Sequence, residues 1–273
     1  MKTKIITLVD NITYKQGLKA EHGLSFLLKI DSIHILFDTG QSNLFIDNAT
    51  ILGEDLQKIT HVVISHGHYD HTGGLKAFME LNAHARIWIH SKALDAKFSI
   101  ATGQSRFIGI GTDLTGFMHR FSFVDIPTEI CDNVWLLPRI EQYTSYETLN
   151  ANLLCGTAEA PVPDPFDDEL VMYIRHPHGV TLVSGCAHRG IVNAVEAVKA
   201  HSGQDTFKLI IGGTHLNGAP LHRIKATSAA LKGTHIESFM PNHCTGIAAY
   251  SHLSANLDCH VSYAQTGTVV CVE

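Results

Sequence analysis

The chain has 273 residues and a formal charge of −6, from 26 acidic against 20 basic side chains, with 45% hydrophobic and 17% charged residues. That composition excludes a disordered, collagen-like or coiled-coil chain, and with no Lys/Arg run or stripe it argues against a nucleic-acid partner. Histidine is the anomaly: 19 residues, almost as many as Lys and Arg together.

The length suits one large domain, expected here to cover 1–273. No stretch approaches the roughly 18–20 apolar residues of a spanning helix, so no membrane role is expected. The apolar run near the N-terminus is too short for a secretory signal. Six cysteines (131, 155, 186, 244, 259 and 271) include no C-x-x-C pair. Reduced thiols and a cytoplasmic location are therefore expected.

In chain order, Ile5 to Asp10 reads as a first strand. Leu24 to Ile30 and Ile33 to Phe37 read as two more, joined at Asp31-Ser32. A helix is expected at about Ser42 to Asn48, with Ser42 as its cap. His61 to Ser65 is a short β-branched run, hence a buried strand. Thr72 to Leu81 has helical spacing, and Arg86 to His90 is a strand. From about 99 to 168 the pattern is irregular apart from short candidates such as Val134 to Leu137. The prolines of 160–168 exclude helix and central strand there. A segment this long and irregular reads as a lid or binding loop. Strands then fit Glu169 to Arg175, Val180 to Ser184, Phe207 to Ile211, His235 to Met240 and Thr268 to Val272. Helices fit Ile191 to His201, Leu221 to Leu231 and Ile247 to Leu257. Strand–helix alternation in both halves predicts a layered α/β protein.

The histidines concentrate at strand ends. Ser65-His66-Gly67-His68-Tyr69-Asp70-His71-Thr72 places three His and one Asp within six residues, between a buried strand and a helix. α/β folds carry their chemistry on such loops. His66 and His68, two apart in extended chain, point the same way. Imidazole and carboxylate are the usual ligands of zinc or iron in open sites. His188, His215 and His243 each follow a Gly-containing turn or strand end in the last third.

This order resembles the signature of the metallo-β-lactamase superfamily, in which His-x-His-x-Asp-His supplies ligands to two metals. Glu21 to Phe26, Leu36 to Gly40, Ser65 to Leu75, Gly185 to Asn193, Gly212 to Leu216 and His243 to Gly246 are similar to one subgroup. It includes an archaeal dihydropterin-methyl-ribofuranosylaminobenzene phosphate synthase and bacterial relatives. The resemblance implies an αββα sandwich, two mixed sheets flanked by helices, with the metals at one edge. It implies two divalent ions, zinc first and manganese or iron as alternatives. His66, His68 and His188 would hold one, and Asp70, His71 and His243 the other. Asp70 would also orient or deprotonate a water. His215 would donate to an oxyanion or phosphate, or else bind metal. Asp38 would orient a ligand His or form an Asx-turn.

Two departures from the pattern matter. Where many members have Gly-Asp with a bridging Asp, this chain has Gly185-Cys186, so His188 or the Cys186 thiolate must substitute, with Asp168 as a further candidate. Asn242 and Thr214 are atypical for the subgroup and could line the pocket. Arg189, at a helix start, is a candidate anion contact, and Arg106, Arg139 and Lys225 are weaker ones. Tyr69 either contacts substrate or wedges the loop.

Three functions follow. The first is a metal-dependent hydrolase of a small phosphorylated or pterin-like molecule. The second is a pyrophosphate-displacing transferase. The third is a non-hydrolytic di-iron protein, disfavoured because such branches usually carry Glu at the His68 position. A small-molecule substrate is the expected partner, and a homo-oligomer is open.

Overall fold

The computed structural model describes residues 2–273. Its first strands, β1 (Thr3–Val9), β2 (Ser25–Ile30) and β3 (Ile33–Phe37), form an antiparallel meander. After α1 (Leu44–Ile51), β4 (His61–Val63) joins β3 in parallel; α2 (Tyr69–Thr72) and α3 (Leu75–Leu81) then lead to β5 (Arg86–Ile89), parallel to β4. Side chains of a strand alternate between faces. On β2, Phe26 and Leu28 face the core between the sheets, whereas Leu27 packs in a cluster with Phe45 of α1 and Phe78 of α3.

The next strands divide among three sheets. β6 (Lys97–Ser99) and β7 (Arg106–Phe107) form a hairpin outside the first sheet, and β8 (Phe121–Phe123) returns to extend that sheet beside β5. β9 (Thr128–Cys131) and β10 (Val134–Pro138) open the second sheet. β11 (Leu153–Gly156) and β12 (Pro161–Pro163) complete the small one beside β6. β13 (Leu170–His176) and β14 (Gly179–Ser184) are antiparallel in the second sheet. It continues in parallel through α4 (Ile191–Ser202), β15 (Thr206–Gly213), α5 (Leu221–Lys232), β16 (His235–Ile236), β17 (Ser238–Asn242), α6 (Ile247–Asn256) and β18 (His260–Val261). Last, β19 (Val269–Val272) crosses back to β1.

The two large sheets run β19-β1-β2-β3-β4-β5-β8 and β18-β17-β15-β14-β13-β10-β9, with β16 beside β15. Phe26, Phe37 and Val63 of the first meet Leu136, Met172, Val183 and Ile211 of the second. The outer face of the second packs Tyr173, Leu182 and Ile210 against Val195, Ile224, Leu231 and Leu253 of α4 to α6. The result is the expected αββα sandwich of two mixed sheets. In each sheet one half is antiparallel and the other parallel. The carboxyl ends of β3, β4, β14, β15 and β17 carry the sequence segments in which His and Asp cluster. Such ends are where open α/β sheets bind ligands.

Several boundaries differ from expectation. The helix expected over Thr72 to Leu81 is two helices parted at Gly73-Gly74. A Cβ on Gly73 would lie 2.0 Å from the Gln41 carbonyl oxygen, and one on Gly74 would lie 2.5 Å from the Phe45 ring and the Thr39 carbonyl oxygen. The chain there threads too closely for any side chain. The cap position of α1 is Asn43, whose side chain makes no capping bond; the expected Ser42, one residue earlier, accepts from the Leu44 amide at 3.1 Å and donates to Glu21. The run His235 to Met240 is two short strands parted at Glu237. The 99–168 segment is not irregular throughout: it supplies β8 to the first sheet and β9 and β10 to the second. Only β7, β11 and β12, with β6, stand apart as a small antiparallel sheet. Proline-rich β12 lies at its edge, where missing N–H donors are tolerated.

Candidate metal centre

Four non-glycine residues at these strand ends take a left-handed backbone: Asp38 (φ 56), Ala187 (φ 49), His215 (φ 50) and His243 (φ 50). Each costs roughly 1–2 kcal/mol against an ordinary conformation, and such strain persists where surrounding contacts hold it, often at functional sites. The sharp turns bring side chains from five strand ends to one point.

Two groups of donors meet there. His66 Nε2 lies 3.0 Å from His68 Nδ1 and 3.3 Å from His188 Nε2. Asp70 Oδ2 lies 3.2 Å from His22 Nε2, 3.4 Å from His243 Nε2 and 3.8 Å from His71 Nε2. Cys186 stands between the groups, its Sγ 3.1 Å from His71 Nε2. It also gathers with His215 and Cys244, the three donor atoms lying within 4.8 Å of one another.

Buried acids hold these groups in place. Asp38 Oδ2 accepts from His71 Nδ1 at 2.7 Å and from the Ser65 hydroxyl at 2.7 Å, while Oδ1 accepts from the Ser65 amide. That bond turns His71 Nε2 toward the site. Glu169 accepts from the amides of His188 (2.6 Å) and Arg189 (2.9 Å). Asp10 accepts from the His243 amide at 2.7 Å, and Asn11 Oδ1 lies 2.8 Å from His243 Nδ1.

The two groups differ electrostatically. Burial, reinforced by neighbouring imidazoles, holds His66 and His188 well below the ordinary histidine range and pushes His68 down to about 3. These rings are neutral and free to ligate. Burial opposes the charged form of Asp70, but His71, His22 and His243 outweigh it and hold the carboxyl well below its usual range. Burial likewise disfavours protonated His71, yet Asp38 and Asp70 raise it to about 9. Burial would push Cys244 up, but hydrogen bonds from Cys186 and His215 hold it well below the usual thiol range. Cys186 goes the other way, with burial first and Cys244 next.

The residues fit a metal. His68 Nε2, His188 Nδ1 and His215 Nδ1 are buried without a hydrogen-bond partner, a costly state for a polar atom with nothing to bind. Neutral imidazoles beside an ionised carboxylate form a donor set that suits zinc, iron or manganese. The site opens into a cavity of about 150 Å³, floored by His68, Asp70, His188 and His243, with Tyr69, Arg106, Ile108 and Leu153 among its walls. Arg106 and Leu153 come from the small sheet, and the Arg106 guanidinium lies 5.4 Å from the Tyr69 ring centre.

Three expectations need correction. Arg189 does not face the site: its guanidinium donates to the Ile140 and Pro165 carbonyls and lies 3.6 Å from Asp167. Asp168 is no bridging ligand. Its Oδ2 accepts from the Gly67 amide at 2.9 Å and its Oδ1 pairs with Lys97 at 2.7 Å, so it anchors the loop between His66 and His68. Asn242 and Thr214 do not line the cavity; they bond to the Ala264 carbonyl and the Thr245 hydroxyl. Two donors were missed as candidates, Cys244, which gathers with Cys186 and His215, and His22. His22, exposed on the loop before β2, completes a donor group with Asp70 and His243. No strand end or helical spacing marks it, only its place in the Glu21-His22-Gly23 piece.

A family model of the metallo-β-lactamase superfamily matches residues 18–143. A 7,8-dihydropterin-6-methyl-4-(β-D-ribofuranosyl)-aminobenzene-5′-phosphate synthase of Methanocaldococcus jannaschii is 32% identical over 263 residues, covering 90% of this chain and 88% of that one. An uncharacterised protein of the same archaeon is 30% identical over 251 residues, covering 90% and 92%. A crystal structure described as a metal-dependent hydrolase of the β-lactamase superfamily is 31% identical, covers 98% of both chains and superposes with a TM-score of 0.85. This chain belongs to the metallo-β-lactamase superfamily. Among the described residues no helix is long and apolar enough to cross a membrane.

Proposed function

We propose that this protein is a metal-dependent hydrolase of a small phosphorylated or pterin-like substrate, with two divalent ions, zinc in the first instance. One observation carries the reading: the His66–His68–His188 group lies beside Asp70 with His71 and His243 about it, and His68, His188, Asp70 and His243 line one cavity. His22 joins Asp70 and His243. Metals bound there supply Lewis acidity and lower the pKa of a water to near neutrality.

The protein's own groups do the rest. His66, His68 and His188 bind as neutral imidazoles. Asp38 fixes the ring of His71 and favours its protonation until an ion displaces that proton. Ionised Asp70 orients the attacking water. His215 reaches the cavity with a buried, unpartnered Nδ1, suited to donate to a developing oxyanion or phosphate oxygen. Arg106 at the mouth offers a cation to a phosphate. The small sheet narrows access for water.

The test is a panel of phosphodiester, phosphomonoester and lactone probes, assayed on protein stripped with chelator and then restored with zinc, manganese or iron. Hydrolysis of at least one probe, lost on stripping and regained on restoring, is expected. Redox-active iron with no hydrolysis would overturn the reading. A pyrophosphate-displacing transfer is the second reading, favoured by the similarity to the archaeal synthase. It is distinguished by pyrophosphate release that requires an acceptor molecule.

A further inference from the structure

Cys186, a candidate for the bridging-ligand slot, and Cys244 carry no step of the hydrolytic reading, yet both line the same cavity. Among the described residues the other four cysteines do not line it. Cys186, His215 and Cys244 follow three successive strands of the second sheet, β14, β15 and β17. Each is at or beside a left-handed residue, Ala187, His215 or His243. The backbone thus turns sharply three times to bring two sulfurs and one ring nitrogen within 4.8 Å of one another.

Further features favour this gathering. Gly213 lies against it, and a Cβ there would stand 2.5 Å from Cys244 Sγ, so the glycine leaves room for the sulfur. Cys244 Sγ is oriented from two sides, accepting from the His215 amide at 3.2 Å and lying 3.4 Å from the Cys186 carbonyl oxygen. His215 Nδ1 is buried with no partner.

We propose that Cys186, Cys244 and His215, whose ring here ligates in place of donating to substrate, form a third, thiolate-rich metal site beside the His/Asp groups, taking a soft or borderline cation such as zinc or cuprous ion. Thiolate and imidazole select such ions, whereas the Asp70 group suits harder ones. Zinc bonds of about 2.3 Å to sulfur and 2.0–2.1 Å to nitrogen need only a small inward shift of donors this close. On binding, any remaining thiol proton goes to solvent and each sulfur gives a lone pair to the metal. Cys186 Sγ, 3.1 Å from His71 Nε2, is placed to be shared with the neighbouring ion.

The test titrates reduced, metal-free, full-length protein with Co²⁺. It reads the near-ultraviolet sulfur-to-cobalt band, the binding stoichiometry and the alkylation of each cysteine by iodoacetamide. A third equivalent bringing the band is expected, with Cys186 and Cys244 protected from alkylation and exposed Cys271 still reactive. Cys244→Ser should remove that equivalent and the band it brings, while His68→Ala should leave the band in place. The His68 variant separates failure here from failure of the hydrolytic reading. Two equivalents without a band overturn the proposal. So does a band lost in Cys186→Ser but undiminished in Cys244→Ser, or a disulfide between the two in freshly purified protein.

Discussion

At the scale of single residues, the chemistry depends on acids that hold ligands as much as on the ligands. Asp38 is fully buried and makes three bonds of 2.7 Å, one of them to His71. Losing an outer partner of a metal-binding His typically costs about 10–100-fold in metal affinity. Asp38→Asn should weaken metal binding by that factor with the fold retained, read by chelator competition and circular dichroism. Unchanged affinity would remove Asp38 from the account. The His-x-His-x-Asp-His run was legible because it combines residue type, spacing and a strand end. His22 was not, because its partners Asp70 and His243 lie 48 and 221 residues away by number. Arg189 misled for a related reason: its reach is decided by which loop carbonyls the fold brings to it, and sequence spacing does not contain that.

At the scale of elements, helix starts and short loops are pinned by buried polar groups. Glu147 accepts from the amides of Val192 (3.0 Å) and Asn193 (2.8 Å), capping α4 from a distant loop. Glu147→Ala leaves two buried donors unsatisfied and should cost about 1–3 kcal/mol in denaturant unfolding. Burial pushes the Glu147 carboxyl above its ordinary value, against the pull of those amides. A carboxyl raised in this way contributes stability that is complete below its unfolded pKa and lost as pH rises through its folded one. Relative to wild type, Glu147→Gln should therefore gain as pH is raised above 4.5; a difference constant with pH would contradict this. The small sheet hangs on Lys97, which pairs with Asp164 (2.8 Å) and Asp168 (2.7 Å) in a buried cluster. Lys97→Met strands two buried carboxylates and should cost about 3–5 kcal/mol. It should also loosen the His66–His68 loop through Asp168, which chelator competition would register as weaker metal binding. The small sheet was not legible because its strands have two to four residues, too few to show alternation. Strands such as β13 and β15, of seven and eight residues, were read nearly in place.

At the scale of the molecule, the parallel half of each sheet directs its carboxyl ends to one edge, and five strand ends build one centre there. The layered plan was legible because strand and helix periods alternate through both halves. The meeting of β4 with β14, β15 and β17 was not, since only the packed sandwich brings them together. The hydrolytic reading requires metal on the His66–His68–His188 group. The most direct test is the metal content of protein purified without added metal, wild type beside His68→Ala, by elemental analysis. At least two ions per chain are expected in the wild type, one fewer in the variant, with hydrolysis lost. Fewer than one ion per chain, unchanged by the substitution, would contradict the account.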